Sequence, residues 1–122
     1  MKNKSAVLGY PDSDNLGDFI QSIAAAKLMM PEKPSRLNRD QLNNYYGPQV
    51  KLIMNGWFME KPENWPPSSS ITPLFISFHL NPTAERGMLT TKGILYFKKN
   101  QPIGCRDYYT QRTLEEHGIE TY

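Results

Sequence analysis

Pro102-Ile103-Gly104-Cys105-Arg106-Asp107-Tyr108-Tyr109-Thr110-Gln111-Arg112-Thr113-Leu114-Glu115-Glu116-His117-Gly118 decides how the rest of the chain is read. Ile103-Gly104-Cys105 is a short apolar run of the kind that ends a strand, and Tyr108 to His117 reads as a helix. Asp107 stands where an N-cap carboxylate accepts from the orphan amides of a first turn. Gly118 stands where a helix takes a left-handed residue, with His117 in the last turn facing the dipole's negative end. Arg106 therefore lies between a strand's carboxyl end and a helix's N-terminus, in a crevice already favourable to anions. Its guanidinium adds a fork that fits phosphate or carboxylate. An Arg106–Asp107 surface pair that merely holds a turn is the competing reading.

Working back toward the N-terminus, the same strand-to-helix alternation recurs. Ala6 to Tyr10 is a buried-strand run, Pro11 to Gly17 is dense in turn formers, and Asp18 to Met30 has helix spacing. Phe19, Ile23, Ala26 and Met30 fall on one face of that helix, which predicts that this face is buried. Pro31 stops it. Ser35-Arg36-Leu37 is a short strand, Arg39 to Tyr46 a turn or two of helix, and Val50 to Met54 a longer strand running into Asn55-Gly56-Trp57-Phe58-Met59. Lys61 to Pro73 holds four prolines and three consecutive serines and reads as an irregular loop. Leu74 to Phe78 is the strongest strand, followed by His79. Leu89 to Lys99 reads as a helix with Ile94 and Phe97 inward, and Ile119 to Tyr122 begins one more strand. This pattern predicts an α/β, Rossmann-like domain with a mainly parallel sheet flanked by helices. Because a parallel strand needs cover on both faces, residues 1–122 read as a partial N-terminal domain, truncated as a strand begins.

The totals bound the function. A chain of 122 residues holds one domain at most. Lys plus Arg is 14 against 12 Asp plus Glu, so the net charge of +2 argues against a nucleic-acid or membrane-surface footprint. Cys105 is the single cysteine, which excludes a disulfide framework and a cysteine-based zinc site, and no metal or cofactor is expected. The N-terminus lacks a signal-peptide core, and no segment approaches the ~20 apolar residues of a membrane span. A soluble, cytoplasmic location is the expectation.

In an open parallel sheet, ligands bind at the carboxyl ends of the strands. Asn15, Gly17 and Asp18 follow the first strand, Asn55, Gly56 and Trp57 the Val50 strand, His79 and Asn81 the Leu74 strand, and Arg106 the last. Gly17 lets a ligand approach the backbone, while Asn15 and Asp18 are suited to sugar hydroxyls; Asp18 as a plain helix cap is the alternative. The spaced glycines of a dinucleotide site are absent, and a carboxylate at the helix start repels phosphate, so a neutral, hydroxyl-bearing ligand fits better there. His79 is a candidate general acid or base, or a hydrogen-bonded structural residue. Trp57 stacks on a sugar face or packs beneath a loop.

Two segments resemble the polysaccharide pyruvyl transferase family. Asn15-Leu16-Gly17-Asp18 entering an alanine-rich helix is similar to its N-terminal motif. Ile103-Gly104-Cys105-Arg106-Asp107, continuing through Tyr108-Tyr109-Thr110 and Leu114 to Ile119, is similar to its Arg-Asp strand-to-helix segment. Asn55-Gly56-Trp57-Phe58 and Phe78-His79 resemble the branch found in bacterial surface-glycan clusters. The resemblance implies transfer of a pyruvyl group from phosphoenolpyruvate to two hydroxyls of an exopolysaccharide sugar, free or lipid-linked, with release of phosphate. It also implies a two-domain, glycosyltransferase-B-like cleft. Arg106 then binds the donor, His79 is catalytic, and Asn15, Gly17, Asp18, Asn55 and Trp57 face the acceptor. Family members carry a second domain with further basic residues, so a second domain or second chain is expected to complete the cleft, and residues 1–122 alone are expected to be inactive. The competing functions are a non-catalytic sugar-binding half-domain and half of a nucleotide-sugar glycosyltransferase.

Overall fold

A computed structural model describes residues 4–11, 13–28 and 33–122. Four strands, β1 (Lys4–Gly9), β2 (Ser35–Asn38), β3 (Val50–Phe58) and β4 (Ile71–Leu80), pair in the order β2-β1-β3-β4, all parallel. Two short segments extend the sheet: Cys105 bridges Phe78, and Ile103 bridges Thr121, both in parallel. The helices are α1 (Leu16–Leu28), α2 (Glu85–Met88), α3 (Thr91–Lys99) and α4 (Tyr108–Glu116). The fold is thus Rossmann-like α/β with helices flanking a parallel sheet.

Period-two alternation divides the strands between two faces. Ala6, Leu8, Leu52, Met54, Phe75, Phe78 and Leu80 join Phe97 of α3 and Leu114 of α4 in the main core. Aromatic rings dominate that core: Trp65 stacks on Phe97 with centroids 5.1 Å apart, and Phe58 lies 4.8 Å from Phe78. Such pairs add about 0.5–1.5 kcal/mol beyond the area they bury. Val7 is fully buried outside this cluster, on the face carrying α1, where the Ser22 hydroxyl donates to the Leu8 carbonyl at 2.5 Å.

The helix that closes the chain forms as its sequence dictates. Asp107 Oδ1 accepts from the Thr110 amide at 2.8 Å, capping α4, and Gly118 has φ +75°, the left-handed region in which glycine carries no Cβ penalty. His117 Nδ1 lies 2.9 Å from the Thr113 carbonyl, the partner to which its ring N–H donates.

Several expectations change. α1 begins at Leu16, so Gly17 and Asp18 lie in its first turn, and its buried residues are Asp18, Ser22 and Ala25. Phe19 and Ile23, expected inside, are exposed; Met30 falls outside the described residues. A buried ion pair involving Asp18, described below, decides the helix's rotation against its apolar spacing. β3 and β4 are longer than their apolar runs, so Asn55, Gly56, Trp57 and His79 lie within strands rather than after them. Pro73 belongs to β4 rather than to the preceding loop. The helix expected from Leu89 begins at Thr91 as α3, and the short α2 that precedes it, Glu85–Met88, was not expected.

Candidate functional site

The carboxyl ends of the strands carry two linked groups of polar side chains. The first is built around Arg39, which directly follows β2 and is 1% exposed. Its Nη1 donates to the Trp57 carbonyl at 3.2 Å and lies 3.5 Å from Asp18 Oδ2, while Nη2 donates to Asp40 Oδ2 at 3.1 Å. The guanidinium carbon sits 4.8 Å from the Tyr10 ring centre and 5.1 Å from that of Trp57. One buried cation therefore ties the start of α1, the end of β2 and the end of β3 together. Removing a single partner of such a group costs about 3–5 kcal/mol, because it leaves an uncompensated buried charge.

The second group joins β4 to α4. His79 Nδ1 lies 2.5 Å from Asp107 Oδ2, and the Thr110 hydroxyl reaches the same carboxylate oxygen at 3.2 Å. Burial works to raise the Asp107 carboxyl, but the Thr110 amide, the His79 ring and the Thr110 hydroxyl outweigh it and hold its pKa below the usual carboxylate value. With a carboxylate beside Nδ1, that nitrogen carries the proton, so Nε2 is the ring position left for proton exchange. Trp57 and His79 are direct register partners on β3 and β4, about 4.8 Å apart in a parallel sheet, and they bring the two groups side by side.

Each residue singled out from the sequence has a definite place. Arg106 donates its amide to the Phe78 carbonyl at 2.9 Å, and its side chain is exposed at a hollow shared with Cys105, Asp107, Tyr108, Gln111 and Tyr122. That hollow does not reach Asn15, Gly17 or Asp18. Asn15 is exposed, and its Oδ1 accepts from the Gly17 amide at 2.9 Å, so its side chain caps α1. Asp18 is buried, with Oδ2 accepting from the Ser13 hydroxyl at 2.9 Å as well as facing Arg39. Asn55 is half-buried on β3, its Nδ2 3.5 Å from the Gln21 carbonyl. Trp57 is half-buried with one face over Arg39. Thus Asp18 and Trp57 meet through Arg39, His79 adjoins Asp107 in space and Arg106 precedes it in sequence, while Asn15 and Gly17 stand apart.

Arg39 itself was not anticipated, since an arginine following a four-residue strand has no local mark of burial. Its signal was compositional: Arg39-Asp40 together with Asp18, three charges that a small domain has reason to pair. Burial first, then the carboxylates of Asp107 and Glu115, push the Cys105 thiol up to about 12, which makes it a poor nucleophile at neutral pH. No group of three or more His, Cys, Asp or Glu residues suited to a metal occurs among the described residues. No described helix is long and apolar enough to cross a membrane.

Fold and rim together define a Rossmann-like α/β domain whose polar edge, at the carboxyl ends of parallel strands, holds an oriented histidine next to an exposed arginine. No family model, curated protein or solved structure matches the chain.

Proposed function

We propose that this rim is part of a pyruvyl transferase site, taking phosphoenolpyruvate as donor and a sugar diol of a surface polysaccharide as acceptor. The observation that carries the reading is the His79–Asp107 pair set beside Arg106, whose amide is bonded to the residue preceding His79. Arg106 is exposed and suited to grip the donor's phosphate or carboxylate. His79, with Nδ1 held by Asp107, exchanges protons through Nε2. In the reaction two sugar hydroxyl oxygens bond to the donor's C2 and the phosphate ester bond to C2 breaks. One hydroxyl proton ends on the donor's methylene carbon, making it a methyl group, and the other leaves with phosphate. Trp57 and Asn55 are assigned to the acceptor side, and the glycosyltransferase-B-like arrangement is part of the same proposal. A donor carrying both a phosphate and a carboxylate needs more cations than Arg106 supplies, so a second domain or chain completes the cleft.

Calorimetric titration of the chain with phosphoenolpyruvate tests the donor assignment. Arg106→Ala should weaken binding by about ten-fold or more, the scale of one lost charge-assisted contact. His79→Gln should leave donor affinity within about two-fold, because its role lies in proton transfer rather than in binding. Binding of nucleotide sugars with no response to phosphoenolpyruvate would replace this reading with the glycosyltransferase one.

A further inference from the structure

α1 is amphipathic the wrong way round for a helix packed on a sheet. The side against the sheet carries Asp18, Ser22 and Ala25, while Leu16, Phe19, Ile20 and Ile23, at i, i+3, i+4 and i+7, are between 38% and 71% exposed. Leu74 and Ile76 of β4, at alternate positions from the core residue Phe75, leave further apolar surface uncovered. An unpartnered apolar helix face such as that of α1 marks a contact surface.

The charges around it indicate what that contact is. Among the described residues from Leu16 to Met59, every exposed charged side chain is a cation: Lys27, Lys33, Arg36 and Lys51. Asp18 and Asp40, the acids in the same described stretch, are buried against Arg39. The exposed acids of the described residues lie outside that stretch, at Asp14, Glu60 and Glu63 and at Glu115, Glu116 and Glu120 on and just beyond α4. The small net charge thus conceals one described stretch whose exposed charges are all cationic, while from Glu60 onward cations and acids balance. A cavity of about 440 Å³ opens between α1 and β2, lined by Tyr10, Pro11, Phe19 and Ile23, with Arg36 also on its wall.

We propose that the α1 face docks on an anionic lipid bilayer, with Phe19, Ile20 and Ile23 entering the headgroup boundary. Lys27, Lys33, Arg36 and Lys51 pair with lipid phosphates, and the cavity beside Arg36 receives part of an acyl chain. Apolar side chains ringed by Lys and Arg form the signature of an interfacial helix. Protein–protein interfaces, by contrast, are depleted in lysine. The inference uses neither His79 nor Arg106 and stands independently of the proposed transferase activity.

Co-sedimentation of the chain with phosphatidylglycerol/phosphatidylcholine vesicles and with pure phosphatidylcholine vesicles tests it. Wild type should partition at least about ten-fold better onto the anionic vesicles, an advantage that shrinks as salt rises. Ile20→Glu with Ile23→Glu, and separately Lys27→Glu with Lys51→Glu, should each lower that partition about ten-fold while circular dichroism stays unchanged. Lys98→Glu with Lys99→Glu, at the end of α3, should change it less than about two-fold. No wild-type binding to anionic vesicles, or wild-type partition in the Ile20/Ile23 variant, would overturn the proposal. So would a dimer in sedimentation velocity that the Ile20/Ile23 variant dissolves, since a second copy would then be what covers the face.

Discussion

Asp107 shows how one carboxylate serves a helix and a site together. Its Oδ1 caps α4 through the Thr110 amide, and its Oδ2 faces His79 Nδ1. The cap was legible, because an aspartate before a helical run has a known use. The histidine was not, because 28 residues separate the partners and only the register of β4 brings them together. The same contacts give Asp107 a pH signature. Its folded pKa lies below its ordinary value, so the stability it contributes is fully present above the unfolded pKa of about 3.9 and is lost as pH falls through the lower, folded value. Asp107→Asn keeps a good cap but removes the charge. Urea melts across the acid range should show wild type more stable than this variant at pH 5–6, with the gap closing as the carboxyl protonates. A gap that stays constant with pH would mean that the cap alone matters.

At the scale of elements, α3 offers a case in which two effects point in opposite directions. Helix propensity alone makes Gly93→Ala stabilising by about 0.8–1.0 kcal/mol. A Cβ at Gly93, however, would stand 1.8 Å from the Met88 carbonyl oxygen and 3.1 Å from the Trp65 ring. Backbone cannot swing aside as a side chain does, so the α2–α3 junction must shift and the clash wins. Gly93→Ala should destabilise the protein by at least about 2 kcal/mol, read as a lower urea midpoint; an unchanged or raised midpoint would show that the junction relaxes freely. The glycine that sequence reasoning treats as a flaw in a helix is what lets α3 follow α2 so closely. Elements with strong local signals, β1, the 3-10 turn from Arg39 to Asn44 and α4, were legible to within a residue or two. α1's start was legible to within two residues, but its rotation was not: apolar spacing sends Phe19 and Ile23 inward, and the buried Arg39–Asp18 pair turns them out. Strand lengths were missed where the ladder resumes beyond the irregularity at Asn55, as in the Trp57–His79 pair, because pairing with a neighbour rather than local composition sustains β3 and β4.

Over the whole molecule, burial is uneven in a way that predicts how the chain opens. β3 and β4 lie between further sheet partners, and their inward side chains join Trp65, Phe97 and Leu114 in one aromatic-rich core. The C-terminal segment is stitched to the same body by backbone bonds, with Cys105 donating to the Tyr122 carbonyl at 2.8 Å and Tyr122 donating to the Ile103 carbonyl at 3.0 Å. On the opposite side, β2 is a four-residue edge strand, and α1 is attached through Ser22, Asp18 and Ala25 with its apolar side chains facing out. Freeing α1 and β2 exposes far less apolar surface than separating β3 from β4, and apolar area at roughly 25 cal/mol per Å² sets most of the difference in opening energy. Native-state hydrogen exchange should therefore give α1 and β2 amides a lower opening free energy than the Phe75 and Phe78 amides, which exchange only through global unfolding. Low concentrations of urea should narrow the contrast, because global opening exposes more surface and its free energy falls more steeply. A single shared opening energy for all four strands and α1 would show instead that the buried Arg39 cluster couples the edge to the core as tightly as the aromatic packing binds the core itself.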